Sequence, residues 1–117
     1  MTVALHPTGT FEGDIWWADC PEKHVGHVKV DEIIVAVNRI DFGFTEAKDD
    51  DKVRVVLKPA YEGSTSWVGE YRYRDKQRSN TVDAQMYTSV DGGIVLTGVW
   101  REYGKDLDWF IKMSRQP

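Results

Sequence analysis

Apolar and polar residues alternate two by two along most of this chain, and the alternation restarts after each cluster of turn-forming residues. A period of two puts every second side chain on one side of an extended strand, so the pattern specifies half-buried β-structure. Residues from Thr8 to Ala18 set Phe11, Gly13, Ile15 and Trp17 against Thr10, Glu12, Asp14 and Trp16. His24 to Asp31 offers Val28 and Val30 to an interior, and Lys52 to Tyr61 offers Val53, Val55 and Leu57, with Arg54 and Lys58 outward. Ser64 to Arg74 sends Trp67, Gly69, Tyr71 and Tyr73 inward, and Asn80 to Val90 sends Val82, Ala84, Met86 and Thr88. Ile94 to Tyr103 contributes Ile94, Leu96, Gly98 and Trp100, and Leu107 to Ser114 contributes Leu107, Trp109, Ile111 and Met113. Asp91-Gly92-Gly93 is a hairpin signal, because glycine reaches positive φ at no steric cost. Gly104-Lys105-Asp106 and the acidic run Glu46 to Lys52 are read as further turns.

One stretch is ambiguous. In Glu32 to Phe44, the residues Ile33, Ile34, Val37 and Ile40 fall near helical spacing, with Asp31 placed to cap a helix. The run Ile-Ile-Val-Ala-Val is β-branched, however, and we read a strand. Composition supports this choice. The chain holds 14 Val and only 4 Leu among 117 residues, with 14 aromatics besides.

Eight strands joined mostly by short turns favour antiparallel neighbours, since a parallel crossover needs a dozen or more residues. An up-and-down meander of eight removes its edges by closing on itself, around an interior wide enough for side chains or one small ligand. The expected fold is therefore an all-β, eight-stranded antiparallel barrel, one domain over residues 1–117; a β-sandwich is the alternative. Mid-strand Gly69 and Gly98 fit a tightly coiled wall.

Three segments resemble the calycin superfamily, the lipocalin, fatty-acid-binding and avidin barrels. Thr8-Gly9-Thr10-Phe11 resembles the first avidin strand, and Ser64-Thr65-Ser66-Trp67-Val68-Gly69-Glu70-Tyr71 is similar to the avidin Thr-x-Trp-x-Gly-x-Tyr strand. Leu96-Thr97-Gly98-Val99-Trp100 looks like the Leu-x-Gly-x-Trp element of small meander barrels. Together they span about a seventh of the chain. The resemblance implies a barrel that binds a ligand through its mouth. It does not extend to biotin, because Glu12-Gly13-Asp14-Ile15-Trp16 lacks the Asn and Ser that avidins place there.

Charge and cysteine content narrow the function classes. A net charge of -4 argues against nucleic acid, whose affinity comes from clustered cations meeting phosphates. The outward cations Arg54, Arg72, Arg74 and Arg101 alternate with Glu70, Asp83, Glu102 and Asp108, which reads as a mixed-charge surface. No apolar run approaches the ~18 residues of a membrane span. The single cysteine, Cys20, allows no internal disulfide and fits a reducing compartment. The opening Met1-Thr2-Val3-Ala4-Leu5-His6-Pro7 shows neither the basic nor the apolar region of a secretory leader, so a cytoplasmic address is expected.

The chemistry-bearing residues are mostly aromatic. Trp17, Trp67, Tyr71, Tyr73, Trp100 and Trp109 share the inward register, and either line a ligand pocket or fill the barrel. Adjacent Trp16 must point the other way, toward a subunit contact, a covering loop or a bulge; exposed tryptophan is enriched at interfaces. Small barrels with outward aromatics often pair, which points to a homodimer. Cys20, His24 and His27 are metal-ligand types, but C-x3-H-x2-H is no established metal signature. Asp49-Asp50-Asp51 lacks EF-hand spacing. No nucleophile elbow, P-loop, dinucleotide or zincin motif is present.

The reading is thus a non-enzymatic barrel, without cofactor, that binds an apolar or aromatic small ligand in its interior. One alternative is a protein-interaction module, an inhibitor or assembly subunit using an exposed aromatic face. The other is a barrel isomerase or cyclase using buried Tyr and carboxylate groups as acid and base.

Overall fold

Each run of β-branched and aromatic residues forms a strand because its alternate side chains share one buried side. The computed structural model describes residues 6–19, 24–45, 52–74, 79–102 and 104–117. The strands are β1 (Gly9–Asp19), β2 (His24–Val35), β3 (Ile40–Thr45), β4 (Lys52–Pro59), β5 (Ser66–Tyr73), β6 (Ser79–Thr88), β7 (Ile94–Glu102) and β8 (Lys105–Arg115). Each pairs antiparallel with the next, and β8 returns to pair with β1, so the sheet closes as an up-and-down barrel. This is the expected architecture, consistent with a calycin-like fold, and no helix occurs among the described residues. The acidic turn from Glu46 lies outside the described residues up to Asp51.

The expected inward residues form one continuous core. Phe11, Ile15, Val55, Leu57, Leu96 and Ile111 are fully buried, together with Trp67, Trp100 and Trp109. Truncating any one of these tryptophans to alanine would cost about 3–5 kcal/mol. Thr88 departs from expectation. It is exposed, because β6 ends there at the barrel rim, beyond the depth of Met86.

The ambiguous stretch resolves into parts of two strands. β2 runs on past Asp31 to Val35, and residues 36–39 form a tight turn in which Ala36 N–H donates to the Arg39 carbonyl at 2.8 Å. The apparent helical spacing mixes inward Ile33 and Ile40 with the exposed apolar residues Ile34 and Val37, the latter in the turn. A β-bulge precedes it. Gly13 pairs with Val30 and Phe11 with Ile33, so Asp31 and Glu32 together oppose Glu12. Inward Val30 and Ile33 thereby stand three residues apart instead of two. The side-chain amide of Gln116 donates to the Asp31 carbonyl at 2.5 Å, satisfying a backbone group that the bulge displaces.

A bulge bends and twists its strand, and here it ends a ladder. β2 pairs with β3 only through Ile33↔Phe42, Ile34↔Asp41 and Val35↔Ile40. On the far side of the bulge, among the described residues, β2 pairs with β1 alone, and Gly43–Thr45 pair with β4 alone. The wall therefore has an open seam between β2 and β3.

Glycine makes close coiling feasible at two further places. A Cβ on Gly69 would lie 1.9 Å from the Val56 carbonyl oxygen, and one on Gly98 would lie 2.0 Å from that of Asp83. No other residue fits at either position.

Candidate functional site

The six inward aromatics divide into two groups. Tyr71 lies face to face on Trp100, with ring centroids 4.1 Å apart and planes 16° from parallel. Trp17 and Trp109 meet Trp100 edge-on at 5.4 and 6.0 Å, and Tyr73 meets Tyr71 edge-on at 5.8 Å. Phe44 adds to this cluster beside Trp17 at 5.2 Å. Buried polar tips are bonded at two places: Tyr71 OH donates to the Arg101 carbonyl, and Trp109 Nε1 donates to the Asp83 carbonyl at 2.9 Å. These five rings pack against one another. Trp67 stands apart, near the other end of the barrel, where its ring meets His6 edge-on at 5.5 Å.

That end is concave. His6, the turn Val37–Arg39, residues 58–65, Met86 and Thr88 enclose a concavity of about 980 Å³. Trp67 adjoins it, since its ring contact His6 and its strand partner Pro59 both line the space. His6 is held over this end by its Nε2, 3.3 Å from the carbonyl oxygen of Val37. The wall from 60 to 66 is preformed by hydrogen bonds. Ala60 N–H donates to the Ser66 carbonyl at 2.8 Å, Ser64 N–H to the Tyr61 carbonyl at 3.0 Å, and Ser66 N–H to Ser64 Oγ at 2.9 Å. Gln85 Nε2 ties the same loop to β6 through Thr65 Oγ1 at 2.7 Å.

The lining suits an amphipathic ligand. Val37, Pro59, Tyr61 and Met86 supply apolar surface, and Arg39, Lys58, Glu62 and three hydroxyls supply polar contacts. Tyr61 stands 70% exposed on the rim. Among the described residues the indole Nε1 of Trp67 is buried with no hydrogen-bond partner, as is that of Trp17. An unpaired buried donor costs about 1–3 kcal/mol. None of the six rings nominated from the sequence lines this concavity; Trp67 lies buried behind its wall. His6, Val37, Tyr61 and Met86 were not singled out from the sequence, because four separate segments bring them together.

Trp16 and Trp17 point to opposite sides, as adjacent strand residues must. Trp17 packs against the core. Trp16 lies on the outer face between its two strand partners, stacked on His27 at 4.9 Å and on Phe110 at 4.6 Å. Phe110 is 41% exposed, so the stack presents an aromatic ladder across β8, β1 and β2. His27 Nε2 donates to Asp14 Oδ1 at 2.9 Å. Of the other metal-ligand candidates, Cys20 lies outside the described residues, as does the side chain of His24. Among the described residues no three His, Cys, Asp or Glu side chains gather as a metal-holding group. No described carboxylate is buried beside Tyr71 or Tyr73, the arrangement that acid–base chemistry inside the barrel would use.

No protein-family model matches this chain, and no curated protein or solved structure matches it at a significant level.

Proposed function

We propose that this barrel is a non-catalytic binding protein, of the lipocalin or avidin kind in its mode of use, that takes a small apolar or aromatic ligand. The ligand enters at the end bordered by His6, the 36–39 turn and the 60–65 loop. The single observation carrying this reading is the 980 Å³ concavity there, whose wall sets Val37, Pro59, Tyr61 and Met86 beside Arg39, Lys58 and Glu62. Most small-molecule sites combine apolar walls with a few placed polar groups in a space of roughly 300–1,000 Å³. The test uses the fluorescent probe 1-anilinonaphthalene-8-sulfonate. Its emission rises with the wild-type protein, and binding weakens at least fivefold in Tyr61→Ala and Val37→Arg, both at exposed positions. Equal binding by all three proteins sinks the proposal.

A second reading is favoured by the outer stack. We propose the Trp16–His27–Phe110 ladder as a protein-contact surface, with a second copy of the chain as the simplest partner. Aromatic residues are enriched at such contacts. Sedimentation should then show association that Trp16→Ala abolishes while leaving the urea midpoint unchanged. A wild-type protein that sediments as a monomer at all concentrations refutes it.

A further inference from the structure

We infer that the outer face of β3, β4 and β5 binds a phosphate dianion carried by a soluble small molecule. Four cations stand there in two directly opposed pairs. Arg54 and Arg72 are cross-strand partners. Lys52 and Arg74 are adjacent one step along, where Arg74 N–H donates to the Lys52 carbonyl at 2.9 Å. Like charges directly opposite one another destabilise a sheet, and this protein places two such pairs side by side although its net charge is -4.

Neutralisation is incomplete among the described residues. Arg54 pairs with Asp41 at 2.7 Å, but Asp41 also serves Arg39 at 3.1 Å. Arg72 reaches Glu70 only at 3.5 Å, with both side chains more than half exposed. Exposed pairs of this kind contribute little. The four cations of this face thus share two carboxylates among the described residues, one of which also serves Arg39.

The surface is also shaped to receive something. Gly43, the cross-strand partner of Arg54, has no side chain where the outward row would otherwise be filled. Gly43, Thr45 and the four cations border a groove of about 460 Å³. It shares Gly43, Phe44, Thr45 and Arg54 with a cleft of about 510 Å³ that follows the open seam toward Val28, where Lys29 and the carboxylates Asp31, Glu32 and Asp41 line it, so that only the end at the four cations suits an anion. The bulge in β2 therefore supplies room for the body of a ligand beside the cations that would hold its charged end. Arginine forks match phosphate oxygens bidentately, and a phosphomonoester carries about -1.5 to -2 charges at neutral pH. This site lies at the end of the barrel away from His6 and Trp67 and does not depend on the ligand proposed there.

The experiment titrates phenyl phosphate and inorganic phosphate into the 15N-labelled full chain at low salt. The inference expects saturable shifts at Gly43, Thr45, Arg54 and Arg72. Affinity should fall at least tenfold in Arg54→Gln and in Arg72→Gln, and be unchanged in Lys112→Gln on a different face. Relief of the opposed charges should leave the urea midpoint of Arg72→Gln equal to or above wild type. No saturable shifts, or the same weakening in Lys112→Gln, overturns the site. Binding to phosphatidic acid vesicles without binding to either soluble phosphate overturns the soluble ligand.

Discussion

Replacing Gly98 with alanine probes the closest backbone approach that can be tied to a core hydrogen bond. The added Cβ would meet the Asp83 carbonyl oxygen at 2.0 Å, the Asp83 carbonyl carbon at 2.7 Å and Ala84 Cα at 2.8 Å. All three are backbone atoms, so no side chain can swing aside. Reaching an ordinary contact of 3.4 Å needs β6 and β7 to separate by more than 1 Å. Overpacking of this sort costs about 1–3 kcal/mol. The same Asp83 carbonyl accepts the Trp109 indole N–H, and stranding that buried donor costs about 1–3 kcal/mol more. A loss of roughly 2–6 kcal/mol follows, a substantial part of the ~6–17 kcal/mol usual for a chain of this size. Urea unfolding followed by tryptophan fluorescence should show the midpoint falling by roughly 2 M, for a slope of about 1–3 kcal/mol/M. Gly43→Ala, whose Cβ would meet its nearest neighbour at 3.3 Å, should cost less than about 1 kcal/mol. In a Trp109→Phe background the donor is already gone, so Gly98→Ala should cost about 1–2 kcal/mol less than in wild type. A Gly98→Ala protein within about 0.5 kcal/mol of wild type would refute the close-approach reasoning. Strict additivity in the double variant would refute the part assigned to Trp109.

Trp67→Phe loses packing worth about 1–2 kcal/mol but removes an unpaired donor whose burial costs a similar amount. Its urea midpoint without ligand should therefore stay close to wild type. Deleting Glu32 restores one-to-one pairing between β1 and β2, keeps Val30 and Ile33 on the inner face, and straightens β2. Hydrogen exchange at Gly43–Thr45 should then slow as the seam zips; unchanged exchange would dissociate the seam from the bulge. Asp91 carries the Ser89 hydroxyl and the Gly93 N–H on its carboxylate, which hold its pKa below the ordinary 3.8. A carboxyl lowered on folding contributes stability that is complete above its unfolded pKa and is lost as pH falls through the folded value. Carbon-detected titration should give an Asp91 midpoint below 3.8 that rises toward the ordinary value in Ser89→Ala without reaching it, since the Gly93 N–H remains.

The second half of the barrel was legible because glycine and aspartate mark its turns and nothing interrupts the alternation from Ile94 to Trp100 or from Leu107 to Met113. The region 31–40 was not, for two physical reasons. Asp31 and Glu32 slip the inward period from two to three between Val30 and Ile33, and the exposed apolar residues Ile34 and Val37 then stand at helical spacing from Ile33 and Ile40. The turn Ala36-Val37-Asn38-Arg39 also contains neither glycine nor proline. Inward register was readable for all six aromatics, but register says nothing about depth along the barrel axis. Depth is what separates Trp67 from the five rings around Trp100. The end concavity was hidden because His6, Val37, Tyr61 and Met86 meet only after the ring has closed. Of the outward charges, Arg101–Asp83 and Arg72–Glu70 form pairs of the expected mixed-charge kind, whereas alternation of sign along the chain does not reveal that Arg54 and Arg72 stand opposite each other.

Seven of the eight ladders join strands consecutive in the chain, whereas β1 and β8 join residues about a hundred positions apart, as in Phe11↔Arg115. Hairpins gather early and distant partners late, because long-loop entropy opposes the latter. Until that last seam engages, the nascent molecule is an open ribbon with two raw margins, each able to capture a neighbouring ribbon. Crowded refolding should therefore yield aggregates at the expense of monomers, and shielding the β8 margin is the step on which recovery turns.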